Sequence, residues 1–167
     1  MRMTLLSAAV AGVLGAVIFA GNMLSSTHHQ AIAASTNPSE GFTLHIDADK
    51  HYAAHPAERI HHWCKQISND FIECQLYASD APNAQLVGIE TIVSPEVHNT
   101  FSAQEKRFWH WHTYEVPRVN AALPDLSKDD AAKVVAKILP TYGKVYIIWD
   151  PMTNPNPVGQ PSVTILK

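Results

Sequence analysis

Apolar residues recur along this chain with three different periods, and each change of period marks a new element. Residues 5–24 are uncharged and mostly Leu, Ala, Val, Ile and Gly. From residue 42 the dominant period is two, that of a half-buried strand, and it predicts a strand over residues 42–46. Residues 47–60 carry no clean period and are interrupted by Pro56, so they read as loop or short helix. Residues 61–77 read as a hairpin with Ser68-Asn69-Asp70 at its turn. Centred on Asn69, the register sets Lys65 opposite Glu73 and Cys64 opposite Cys74. It places His62, Cys64, Ile72, Cys74 and Leu76 on one face, expected to be the core face, and His61, Trp63, Gln75 and Tyr77 on the other.

Residues 86–93 form a nearly continuous apolar run of strand length, broken by Glu90 and Thr91, and predict a buried strand. Ser102 followed by Glu105 is a capping box, so a short helix is expected from Ala103 toward Trp109. Residues 110–116 read as strand. Ser127 repeats the cap ahead of residues 128–139, where Ala131, Val134, Val135 and Ile138 fall at helical spacing until Pro140 ends the helix. Residues 144–149 predict a strand, residues 150–161 a proline-rich loop, and residues 163–166 a last strand. Strands and isolated helices without regular alternation specify an α+β fold, a single domain with a mainly antiparallel sheet and one or two packed helices.

The first apolar run changes the picture of where the protein works. Arg2 precedes it, a polar stretch follows, and Ala31-Ile32-Ala33 is the small-x-small pattern of a signal peptidase site. The expected organisation is a bacterial-type secretory signal over residues 1–33, cleaved after Ala33, a polar lead-in over 34–48, and one domain over 49–167. The protein is then periplasmic or secreted; the alternative is an uncleaved N-terminal membrane anchor, for which about 20 apolar residues suffice. A net charge of -3 supplies no electrostatic footprint for nucleic acid, so no nucleic-acid partner is expected.

Composition then draws attention to histidine, present ten times in 167 residues. In Trp109-His110-Trp111-His112-Thr113-Tyr114-Glu115, two histidines at i and i+2 of a strand project to one face and can share a metal ion. His62 and Glu90 are the candidates to complete a divalent transition-metal set; His61 and Glu115 are held in reserve, with Glu115 pointing the other way on a strand. Glu90, a carboxylate inside an apolar strand, needs a partner in any case. The plainer reading is that these histidines hydrogen-bond backbone or Glu90 at the core edge. Cys64 and Cys74 form either a cross-strand disulfide or two buried thiols. There is no Gly-rich phosphate loop, G-x-S-x-G, H-E-x-x-H or C-x-x-C, and no catalytic residue is assigned.

In order and spacing, His61-His62-Trp63-Cys64, Asp70-Phe71-Ile72-Glu73-Cys74-Gln75-Leu76-Tyr77, Leu86-Val87-Gly88-Ile89-Glu90, Trp109 to Val116, and Tyr142-Gly143-Lys144 resemble the DUF1264 family, from about His51 to the C-terminus. That family includes plant oil-body-associated proteins and many bacterial proteins of unknown function. The resemblance implies no established reaction. It implies association with a lipid surface, and, since intracellular relatives resemble this chain at both cysteines, a fold that does not require a disulfide. The expected role is a non-enzymatic protein that binds a lipid or envelope surface. The alternative is a metal-binding protein or metal-dependent enzyme using the His cluster.

Overall fold

In a computed structural model, residues 37–49 and 51–166 are described. The segment read as an export signal lies outside them. Strand β1, Leu44–Ala48, opens an antiparallel sheet and pairs with β2, Ile60–Ser68, which turns at Asn69 into β3, Phe71–Tyr77. β1 replaces part of the expected lead-in: its apolar Leu44, Ile46 and Ala48 alternate inward, so the ordered domain begins before residue 49. The hairpin register is the expected one, with Lys65 opposite Glu73 and Cys64 opposite Cys74, and Cys64 and Cys74 are joined by a disulfide.

β4, Leu86–Val93, pairs with β3 and then with β6, Tyr142–Ile147. Between β4 and β6 the chain forms helices α1, Pro95–Asn99, and α2, Ala103–Lys106, the two-residue strand β5, His110–Trp111, and helices α3, His112–Glu115, and α4, Lys128–Ile138. β6 shares its outer edge between β5 at one end and β7, Ser162–Thr164, at the other. The result is a seven-stranded, mainly antiparallel sheet with few and short helices.

Two departures from the sequence pattern matter for the site. The run expected as a strand over residues 110–116 is a strand for two residues only. At His112 the backbone turns helical, and Pro117 follows in a one-turn 3-10 helix, Val116–Arg118. The Ser102 helix is likewise only Ala103–Lys106, although Ser102 Oγ accepts from Glu105 N–H as a cap should. The Glu105 side chain does not return to the cap. It accepts instead from Trp109 Nε1 at 2.8 Å and Lys144 Nζ at 2.7 Å, which ties the end of this segment to β6.

Strand alternation gives the sheet two chemically different faces. One carries Ile46, Ile60, His62, Cys64, Cys74, Leu76, Glu90, Ile92 and Val145, and includes most of the core. The other carries His45, Asp47, His61 and Trp63 on its first two strands.

Candidate metal centre

Glu90 stands on the core face opposite Cys74 on one side and Val145 on the other, where an unpaired carboxylate would cost several kcal/mol. Its partners are imidazoles. His110 Nε2 lies 3.2 Å and His112 Nε2 3.3 Å from Glu90 Oε1, and His62 Nε2 lies 3.6 Å from Oε2. A fourth imidazole, His51, meets His62 with 3.0 Å between their Nε2 atoms, and the Nε2 atoms of His110 and His112 are 3.2 Å apart. Two triads, His51-His62-Glu90 and Glu90-His110-His112, therefore share one carboxylate. All five residues, and Glu115 beside them, are 7% exposed or less.

Each side chain arrives from a different local cause. His62 is an inward position of β2, and Glu90 an inward position of β4. His110 is held by its pairing with Gly143 of β6, where an added Cβ would collide with the Glu90 carboxylate and come within 2.5 Å of His110 Nε2. Glycine at 143 is thus the condition for both side chains to lie across β6. His112 opens α3 and Glu115 follows one helical turn later, so both turn to the same side. Glu115 Oε2 comes within 3.5 Å of His110 Nε2. The strand expectation that Glu115 points away is corrected by this turn.

The outer nitrogens settle which inner ones carry protons. His62 Nδ1 is 2.9 Å from Ile46 O, and His51 Nδ1 is 2.9 Å from Asp49 O; a carbonyl only accepts, so each Nδ1 is a donor. Thr141 donates its hydroxyl proton to Ile138 O at 2.6 Å and so accepts from His112 Nδ1 at 2.8 Å. In their neutral forms, His51, His62 and His112 therefore aim bare Nε2 lone pairs inward. His110 differs: its Nδ1 is buried without a hydrogen-bond partner among the described residues.

Electrostatics follow this division. Burial holds His51 down to about 3, with the neighbouring His62 adding to the effect, and burial also lowers His62 and His112. Burial alone would raise Glu90, but its close contacts with the His110 and His112 imidazoles, the hydrogen bond with His110 first among them, outweigh burial and hold the carboxyl well below its ordinary value. Burial likewise opposes charge on His110, yet its contact with Glu90 raises it. The site is one anion faced by three neutral imidazoles and one that protonates readily. Beside it is a cavity of about 50 Å³, walled by Ile46, Ile92, Val119 and Ile138. Such an apolar wall strengthens every charge interaction within.

Of the residues singled out in the sequence, His62, Glu90, His110, His112 and Glu115 are brought together. His61 is not: it faces the opposite side of the sheet from its neighbour His62. His51 was missed. It sits in the irregular segment after β1, where no periodicity marks an inward side chain; only its residue type could have pointed to it.

A sequence profile described as "Protein of unknown function (DUF1264)" matches residues 36–166. Relatives include oil body-associated protein 2C of Arabidopsis thaliana, 33% identical over 114 residues, covering 67% of this chain and 48% of that protein. Oil body-associated protein 2B of the same plant is 30% identical over 141 residues, covering 81% and 56% respectively. The chain spans about half the length of the curated relatives it matches. No solved structure matches it.

Proposed function

Because this chain belongs to the DUF1264 family, whose biochemical role is undefined, the functional reading has to come from the site, and we propose a metal-binding domain that holds a divalent transition-metal ion on His51, His62, His110, His112 and Glu90. One observation carries the reading. His51 and His62 each commit Nδ1–H to a backbone carbonyl, yet their Nε2 atoms face each other at 3.0 Å. Two lone pairs at that distance repel unless a proton or a metal ion lies between or beside them, and burial, which lowers both imidazoles, disfavours the proton. Nitrogens bound to one tetrahedral zinc at 2.0–2.1 Å would be about 3.3 Å apart, close to the spacings found in both triads. The Nδ1 hydrogen bonds are the outer-shell support that fixes ligand tautomers in metal sites.

Imidazole and carboxylate donors without thiolate favour zinc, copper, nickel, iron or manganese over calcium and magnesium. The cysteines of the domain are oxidised and offer no thiolate. Titration of the untagged, chelator-treated chain with Co²⁺, read by its visible ligand-field bands, tests the reading. The expected result is stoichiometric binding that is lost in Glu90→Gln and His62→Ala. Binding that is equal in the wild type and both variants would contradict it.

The relatives' names favour a second reading compatible with the first, attachment of the domain to a lipid surface. Trp111 and Tyr114, the chain neighbours of His110 and His112, are about half exposed, and Arg118 covers the Tyr114 ring at 3.8 Å. Aromatic rings beside a cation suit the headgroup level of a lipid layer. Flotation with anionic vesicles, abolished by Trp111→Ala with Tyr114→Ala, is the expected result; absence of wild-type flotation would contradict this reading.

A further inference from the structure

The His61-His62 pair sends one imidazole to each face of the sheet, and the outward one belongs to a separate group. Alternation along β1 and β2 places His45, Asp47 and His61 together on the face opposite the buried centre, and Asp80, from the loop after β3, reaches over them. His45 Nε2 is 3.0 Å from both Asp47 Oδ1 and Asp80 Oδ1; His61 Nδ1 is 2.7 Å from the same two oxygens. We propose that His45 Nε2, His61 Nδ1, Asp47 Oδ1 and Asp80 Oδ1 form a second site for a divalent transition-metal ion, independent of the buried centre.

Three features favour a cation here over a set of ordinary ion pairs. His61 Nδ1 is buried and within 2.7 Å of two carboxylate oxygens, yet neither is placed to accept a hydrogen bond from it. His45 Nε2 and Asp47 Oδ1 meet as a hydrogen bond, but His61 Nδ1 approaches both oxygens off any hydrogen-bond axis, as a ligand sharing a cation with them would. His45 Nδ1 contacts Asp125 Oδ2 at 3.0 Å and must be the donor, so a neutral His45 presents a bare Nε2 to Asp47 and Asp80. A carboxylate behind a metal-bound imidazole is a frequent outer-shell arrangement. Finally, three carboxylates, Asp47, Asp80 and Asp125, gather around His45, while Arg59 Nη2 stands 3.7 Å from Asp47 Oδ2 on its far oxygen.

A doubly protonated His45 would satisfy Asp47 and Asp125, but it leaves His61 Nδ1 out of line with its oxygens; one cation satisfies all four atoms. Trp63 stacks on His45 at 4.4 Å between ring centroids and holds the imidazole in place. A two-imidazole, two-carboxylate set suits zinc or another borderline divalent ion. Asp80 is 47% exposed, so this site should exchange its ion with solvent more readily than the buried one.

The experiment counts zinc bound to the untagged full chain after reconstitution and desalting, by elemental analysis, in four proteins: wild type, His61→Asn with Asp80→Asn, Asp80→Asn alone, and Glu90→Gln. The double variant is expected to bind one equivalent fewer than wild type. The single Asp80→Asn variant, altered only in a loop, is expected to keep the circular dichroism spectrum and bind the ion at least tenfold more weakly. Zinc counts and affinities equal to wild type in both variants would overturn the proposal. A count unchanged in Glu90→Gln but reduced in the Asp80 variants would uphold this site while overturning the buried one.

Discussion

Thr141 does for His112 what backbone carbonyls do for His51 and His62: its oxygen accepts a hydrogen bond from Nδ1–H, which leaves Nε2 bare toward Glu90. Thr141→Val keeps the shape and removes the acceptor, so metal affinity should fall by about 10–100-fold, as outer-shell losses do. Competitive titration against a chromophoric chelator measures it, and an unchanged affinity would deny the positioning role. The same buried imidazoles set the acid limit of the metal-free fold. Unfolded, His51, His62 and His112 take up protons near pH 6.5; folded, burial keeps all three below that value, His51 at about 3. The unfolded chain therefore binds more protons, and the stability these groups contribute above pH 6.5 is lost as pH falls toward 3. Glu90, lowered in the fold, loses its contribution in acid as well. His110, raised, works the other way, since its contribution is present in acid and lost as pH rises. His51 alone should cost about 2 kcal/mol between pH 7 and pH 5. Urea unfolding of the chelated chain at the two pH values checks this, with a flat profile as the contrary result.

At the scale of elements, the disulfide between β2 and β3 closes a short loop, with a sequence separation of 10. Its reduction should lower stability by about 2–3 kcal/mol while leaving the register intact, since the strands also pair through seven backbone positions. Thermal unfolding with and without a thiol reductant would show it. The hairpin was legible because a turn at Asn69 and a period of two leave one register in which the apolar set faces inward. The buried strand at Glu90 was legible from its nearly continuous apolar run of strand length, and α4 because Ser127 caps a helical period. The segment after His110 was not. Trp, Thr, Tyr and Val favour strands, but β5 has only the end of β6 to pair with, and Pro117 cannot donate to a ladder. A strand through residue 115 would set Glu115 on the far side; the helical turn at His112 brings it to the His110 side. His51 lay beyond reach because loop side chains are oriented by tertiary contacts and not by a period, here the Nδ1–H bond to Asp49 O.

For the molecule as a whole, the sheet separates two groups of histidines, one sealed between β-strands and the segment running from His110 to α4, the other on the opposite face of β1 and β2, where the half-exposed Asp80 gives it access to solvent. Its relatives are named for oil bodies and match it over only about half of their own length, so what the shared part contributes is best sought in this domain alone. Among the described residues no helix is long and apolar enough to cross a membrane. A surface contact through Trp111 and Tyr114, as proposed above, would lie beside the proposed metal centre and is compatible with it. The most direct test of the centre is a crystal of the untagged chain grown with zinc, with diffraction recorded on both sides of the zinc absorption edge. The account predicts an anomalous peak at about 2.0–2.2 Å from the Nε2 atoms of at least one pair, His51 with His62 or His110 with His112, and from a Glu90 oxygen. Full occupancy of all five side chains with no peak between them would contradict it.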